Sequence, residues 1–210
     1  MITERPVSIA LPGGITLEGA LALPAGAEAG VVVCHPHPRY GGDMDNPVVL
    51  TAVDACSTQG LATLRFNFRG VGGSGGSWDE GRGERDDVRA ALAHLRGLLR
   101  GPARVGLAGY SFGAAMSAAV AGGEPLAGLA LIAPPLASPS WPGAGALAIG
   151  APLLVVAGSD DTHCPRSGLA ALATAAPAAT VIVIDGADHF FYSGQRALHA
   201  ALAGWAAKLA

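Results

Sequence analysis

Ala108-Gly109-Tyr110-Ser111-Phe112-Gly113 is the stretch that decides how this chain folds. It follows an apolar run, residues 105–108, and opens a run of small residues, 114–120. The first reads as a buried strand and the second as a helix, so the stretch is a strand-to-helix turn of the pattern G-x-S-x-G. A serine at such a turn is held in a strained conformation, with its hydroxyl exposed at the sheet's edge. Glycines two positions before and after it let neighbouring backbone pass where a Cβ would clash. The helix start leaves N–H groups without intrahelical partners, so the Phe112 amide can point at a developing oxyanion. A glycine-rich turn with a chance serine would not account for the strand before it and the helix after it.

Working outward, runs rich in Val, Ile and Leu and bounded by Gly or Pro predict eight strands near residues 7–11, 16–23, 31–34, 63–68, 105–108, 129–133, 153–157 and 180–184. Pro12, Gly13 and Gly14 between the first two predict an antiparallel hairpin at one edge. Helical segments are expected at 47–59, 84–99, 112–120, 166–175 and 195–209, dominated by Ala and Leu. Glu84, Asp86 and Asp87 fall where the positive end of a helix dipole favours acids. Strands alternating with helices imply an α/β fold: a mostly parallel sheet with helices on both faces, its strands apolar throughout because neither side meets water. The 210 residues show no repeat and no long linker, so one domain over 1–210 is expected.

Composition narrows the function. Half of the positions are hydrophobic and the formal charge is −3, which excludes a disordered chain. With 13 basic residues scattered among 16 acidic ones, no stripe exists to neutralise phosphates, so no nucleic-acid partner is expected. Two long uncharged stretches, 105–123 and 125–158, are interrupted by glycines and prolines and read as buried core, so no membrane partner is expected either. Cys34, Cys56 and Cys164 offer neither C-x-x-C spacing nor a disulfide framework, and residues 1–11 carry Glu4, Arg5 and Pro6 where an export signal would be apolar. A cytoplasmic location is expected.

A serine hydroxyl needs a base to become a nucleophile, and the base needs an acid to orient it. The strand at 153–157 ends in Gly158-Ser159-Asp160-Asp161-Thr162-His163-Cys164-Pro165, which places two carboxylates on the loop at the carboxyl edge of the sheet. The strand at 180–184 ends in Asp185-Gly186-Ala187-Asp188-His189-Phe190-Phe191, which places a histidine on the next such loop. Ser, then Asp, then His is the chain order of the α/β-hydrolase triad.

In these features the chain resembles a small member of the α/β-hydrolase superfamily, similar to the dienelactone hydrolase-like group. The resemblance rests on Cys34-His35-Pro36-His37-Pro38 with Gly41-Gly42, on Arg65-Phe66-Asn67-Phe68-Arg69-Gly70-Val71-Gly72, on the serine turn, and on the acid and histidine loops. It implies that Ser111 is the nucleophile and His189 the general base. The group's acid loop reads G-D-x-D-x-x-V-P; aligning Pro165 puts the orienting acid on Asp161, with Asp160 as the alternative and Cys164 in place of the valine. One oxyanion donor would be the Phe112 amide. The other would come from the loop after the third strand, where the His37 amide follows the group's usual H-G pair; side-chain roles for His35 or His37 stay open, and for His35 a buried imidazole bonded to loop backbone is the simpler reading. The resemblance implies no cofactor and no metal.

Other signals lead elsewhere. Gly70-Val71-Gly72-Gly73-Ser74-Gly75 matches G-x-G-x-x-G, but Gly76, Gly81 and Gly83 postpone any helix and the ribose-binding acid is missing. The segment is read as a structural turn, with Arg69 bracing a loop. His35, His37, Asp43 and Asp45 lack the company of a metal motif. His94 and His199 fall on helices and read as solvated, Leu202 and Trp205 as core, and Cys34 as a small buried hydrophobe.

The expected reaction is hydrolysis of a small, soluble carboxylic ester through an acyl-enzyme on Ser111. A thioesterase or acyltransferase would keep the same triad, and a non-catalytic small-ligand receptor is the alternative of another class. The connection at 134–151 is too short for a helical cap, so no cap domain is expected. Trp141 and Leu147 on it, with Tyr40, are the candidates for the substrate pocket.

Overall fold

The computed structural model describes residues 3–210. Eight strands, β1 (Arg5–Ala10), β2 (Thr16–Ala22), β3 (Ala29–Cys34), β4 (Ala62–Phe66), β5 (Arg104–Tyr110), β6 (Gly128–Ile132), β7 (Leu153–Gly158) and β8 (Thr180–Ile184), form one sheet in the order β1-β2-β4-β3-β5-β6-β7-β8. Only the β1·β2 and β2·β4 pairs are antiparallel; from β4 to β8 every pair is parallel. Five helices, α1 (Pro47–Ser57), α2 (Arg82–Leu98), α3 (Phe112–Ala121), α4 (Arg166–Ala175) and α5 (Gln195–Ala206), cover both faces. This is the mostly parallel sheet with helices on both faces that the alternation of strands and helices predicts, and the α/β-hydrolase architecture that the resemblance implies; among the described residues there is no cap domain. Among the described residues, no helix is long and apolar enough to cross a membrane.

The strict alternation of side chains along each strand builds two cores from one sequence run. Val32 and Cys34 of β3 join one apolar cluster with Leu92 and Leu95 of α2 and Met116 of α3, while Val31 and Val33 join another with Val49 of α1 and Leu198 and Leu202 of α5. Each such leucine, fully removed from water, contributes roughly 1.5–3 kcal/mol of transfer free energy. The cysteines sit inside these clusters, and burial pushes the Cys34 thiol up to about 12, so it stays a neutral small hydrophobe.

Register brings the working loops together. In β3·β5, Cys34 pairs with Gly109, so the loop after β3 leaves the sheet beside the serine turn. In β7·β8, Gly158 pairs with Ile184, so the acid loop and the histidine loop leave at the same level. Helix α2 starts at Arg82 rather than Glu84, because the Glu84 carboxylate reaches back to accept the Gly81 and Asp79 N–H groups at 2.7 and 2.8 Å. Asp87 also does more than face a helix dipole: it is fully buried and takes two prongs of the Arg69 guanidinium at 2.7 and 3.0 Å. Arg69 thereby braces the glycine-rich turn, which Ser74 also pins by donating to the Asn67 carbonyl at 2.6 Å.

Candidate active site

Ser111 sits between β5 and α3 with φ 52° and ψ −114°, a backbone conformation that residues with a Cβ avoid. Two hydrogen bonds hold it there: its N–H donates to the Ile132 carbonyl at 2.9 Å, and its own carbonyl receives the Ala115 N–H at 3.1 Å. The flanking glycines are required by packing. A Cβ on Gly113 would collide with the Cys34 and His35 carbonyls, and one on Gly109 with the Gly113 backbone. The serine turn can therefore press directly on the end of β3.

The side chains named for the triad meet. His189 Nε2 lies 3.0 Å from Ser111 Oγ, and Nδ1 lies 2.8 Å from Asp161 Oδ2. Asp161 is buried, and its other oxygen accepts the His163 and Cys164 N–H groups at 2.8 and 3.0 Å. Those bonds fix which carboxylate oxygen faces the histidine. Asp160 is exposed and bonded to Ser159 Oγ at 2.8 Å, away from the imidazole. A bond not foreseen from the sequence tethers His189 from behind: Tyr110 donates its hydroxyl to the His189 carbonyl at 3.0 Å. Burial first, then the negative charges of Asp161 and Asp188, drive the Tyr110 phenol well above its usual range, so the donor keeps its proton.

Neither the His37 nor the Phe112 amide donates to a protein acceptor among the described residues, although Phe112 is buried. N–H groups left open beside a serine at such a turn fit an anion-binding role. The loop carrying His37 is folded tightly: the Tyr40 and Gly42 N–H groups both donate to the His37 carbonyl, at 3.0 and 3.1 Å. The His37 ring accepts the Arg39 N–H at 3.2 Å and packs within 5.0 Å of the Tyr40, Trp78 and Phe112 ring centres. Burial, and then the Arg39 charge, lower its pKa and favour the neutral imidazole. His35 is fully buried and bonded to loop backbone on both nitrogens.

A cleft of about 460 Å³ opens over Ser111 and His189, and Tyr40 and Phe190, both exposed, stand on its wall. Of the three pocket candidates only Tyr40 lines it. Trp141 is half-buried against the core, and Leu147 is buried within a short 3-10 turn (Ala144–Leu147) that docks on α3 and α4. The reason is steric: α3 is half alanine and leaves room for that connection to lie along it, so its large apolar groups turn inward. Pro135, Ser138 and Ser140 take their place on the cleft. His94 also differs from expectation. Its Nε2 is buried with no hydrogen-bond partner among the described residues, and burial lowers its pKa. His199, by contrast, reaches Asp54 at 3.0 Å on the surface. Among the described residues no three His, Cys, Asp or Glu side chains converge as a metal centre would need.

Comparisons with known proteins bear on the fold and the family. A solved α/β serine hydrolase homologue from Coxiella burnetii is 35% identical, covers 97% of this chain and 98% of its own, and superposes with a TM-score of 0.87. XC6422 from Xanthomonas campestris, described as a serine hydrolase without lid, is 32% identical over 96% of this chain and 93% of its own, with a TM-score of 0.84. An uncharacterized protein of Rickettsia prowazekii is 42% identical over 99 residues, and the match spans 42% of that curated relative's length. Residues 77–209, from the turn before α2 through α5, match the model of the dienelactone hydrolase family. With the serine turn, the acid loop and the histidine loop all inside that match, the chain belongs to the dienelactone hydrolase family, a family of hydrolases built on the α/β-hydrolase fold.

Proposed function

We propose that the protein hydrolyses small carboxylic esters through an acyl-enzyme on Ser111. The observation that carries this is the unbroken line from Asp161 Oδ2 to His189 Nδ1 at 2.8 Å and from His189 Nε2 to Ser111 Oγ at 3.0 Å. In that arrangement Nδ1 carries a proton toward the carboxylate, and Nε2 is free to accept one from the serine.

Ser111 Oγ attacks the ester carbonyl as its proton passes to Nε2. The carbonyl oxygen becomes an oxyanion, which the Phe112 and His37 N–H groups would stabilise by about 3 kcal/mol each. Collapse breaks the ester C–O bond, and the imidazolium returns its proton to the leaving alkoxide. Water then attacks the acyl-Ser111 carbonyl, giving its proton to the same nitrogen, and the second collapse releases the acid and restores the hydroxyl. Asp161 balances the charge on His189 at both transition states.

A cleft of this volume with no cap over it suits short acyl groups better than long ones. The test is turnover of p-nitrophenyl acetate, butyrate and a long-chain ester by wild type and Ser111→Ala, with intact mass after a fluorophosphonate probe. One adduct on Ser111, a rate loss on the order of 10³-fold or more in the variant and a short-chain preference are expected. A folded wild type with neither turnover nor adduct would point to a ligand-binding protein instead.

A further inference from the structure

The wall of the cleft carries information about what enters it. Among the described residues lining it there is no Arg, Lys, Asp or Glu; besides Ser111 and two tyrosines, the polar side chains are Asn46, Ser138, Ser140 and the imidazoles. Arg39, the cation on the same loop as Tyr40, is exposed and stays outside the cleft. The buried Asp161 carboxylate, behind His189, would repel an anion. A substrate carboxylate placed here would lose hydration without gaining a partner.

Exposed aromatics rise from two loops beside this neutral floor. Tyr40 is 86% exposed and leans on His37 at 4.6 Å, which in turn packs on Trp78 and Phe112. Phe190 is 54% and Tyr192 84% exposed, with their rings 5.6 Å apart and Phe190 on the cleft wall. Rings of this size left in water beside a reactive serine are binding surface that a flat apolar group would cover. Building on the ester-hydrolase reading, we infer that the preferred substrate is an uncharged ester bearing an aromatic ring, which Tyr40 and Phe190 grip.

Four acetates with leaving alcohols of similar acidity test this: benzyl against cyclohexylmethyl for the ring, and 4-carbamoylbenzyl against 4-carboxybenzyl for the charge. Benzyl acetate is expected to exceed cyclohexylmethyl acetate in kcat/KM by about three- to tenfold, and the carbamoyl ester to exceed the carboxylate by roughly tenfold or more. Tyr40→Ala and Phe190→Ala should each move the benzyl preference toward one. Equal rates in either pair, or a faster carboxylate, overturn the inference while leaving the hydrolase reading intact, provided the wild type hydrolyses p-nitrophenyl acetate. No hydrolysis of any ester overturns both.

A separate observation concerns His35. Its Nε2 receives the Phe68 N–H at 3.0 Å, so its proton is on Nδ1, which lies 2.6 Å from the Pro36 carbonyl oxygen. That carbonyl belongs to the peptide bond whose nitrogen is the His37 N–H, the donor assigned to the oxyanion. The buried imidazole thus clamps one end of the peptide whose other end faces the reaction, and a hydrogen bond to an amide oxygen makes its N–H a better donor. From this the geometry points to His35 as a positioning residue that aims and polarises the His37 amide, again within the ester-hydrolase reading.

Two substitutions separate the ends of the imidazole. His35→Asn places an N–H where Nδ1 was and keeps the Pro36 contact; His35→Gln places an acceptor where Nε2 was and keeps the Phe68 contact. With wild-type turnover as the control, kcat should fall roughly ten- to a hundredfold in the Gln variant and much less in the Asn variant, with KM within twofold in both. Affinity for a trifluoromethyl ketone, whose adduct carries an oxyanion, should fall in step with kcat while affinity for the parent methyl ketone holds. A Gln variant as active as the Asn variant, or parallel loss for both ketones, would overturn the assignment.

Discussion

Arg69 and Asp87 form a two-pronged ion pair in which the carboxylate is wholly buried and the arginine side chain is 12% exposed. The pair joins the segment after β4 to α2, and Asp87 Oδ2 takes the Arg69 backbone N–H as well, at 3.0 Å. Removing the arginine alone leaves a buried charge with only that N–H. Arg69→Met should therefore lower the unfolding free energy by about 3–5 kcal/mol, and Arg69→Met with Asp87→Leu should recover most of the loss. Urea denaturation of the single and double variants measures it.

The strained φ of Ser111 predicts a separation of stability from activity. Glycine adopts that conformation without a Cβ penalty, so Ser111→Gly should be more stable than Ser111→Ala by about 1–3 kcal/mol. Both should be inactive. Equal melting temperatures for the two variants would show that the turn stores no strain.

Asp161→Asn tests the proton's place on His189. The two backbone N–H groups on Oδ1 oblige an asparagine to put its oxygen there and its amide nitrogen toward Nδ1. That nitrogen donates, so the imidazole must move its proton to Nε2 and can no longer take one from Ser111. The turnover number should fall on the order of 10³- to 10⁴-fold with KM little changed. Asp160→Asn should retain wild-type turnover, and both are read by steady-state kinetics on p-nitrophenyl acetate.

Burial, opposed by the Pro36 carbonyl bond, brings the His35 pKa from its ordinary 6.5 down to about 4. The unfolded chain then binds this proton more readily than the folded one, so the contribution is complete above pH 6.5 and is lost as pH falls toward 4. It amounts to about 3 kcal/mol at its fullest, with a slope of roughly 1.4 kcal/mol per pH unit. Denaturation midpoints between pH 4 and 7 should show a slope smaller by about one proton in His35→Asn than in wild type.

How much of this was written in the sequence depends on the kind of signal. The sheet was legible because strands buried on both faces must be apolar without alternation, and the serine turn because its glycines answer to backbone contacts within a few residues. Asp161 and His189 were legible because strand ends in a parallel sheet project their loops to one side. Trp141 and Leu147 were misplaced because a proline-rich connection has no period to say which side of it faces the core. The Tyr110 tether to the His189 carbonyl was missed for a related reason: it spans 79 positions, and only the register of the sheet brings its ends together. The Glu84 and Asp87 carboxylates read only as helix-start acids, and nothing local marks them as buried.

The position of β8 at the rim of the sheet has one more consequence. It pairs with β7 alone, yet the loop that follows it carries His189. The inner strands can therefore gather around β5 and bury most of the apolar residues while the base is still absent. During refolding, recovery of turnover would then lag the recovery of secondary structure, and fraying confined to that outermost strand would cost the chemistry before it cost the fold.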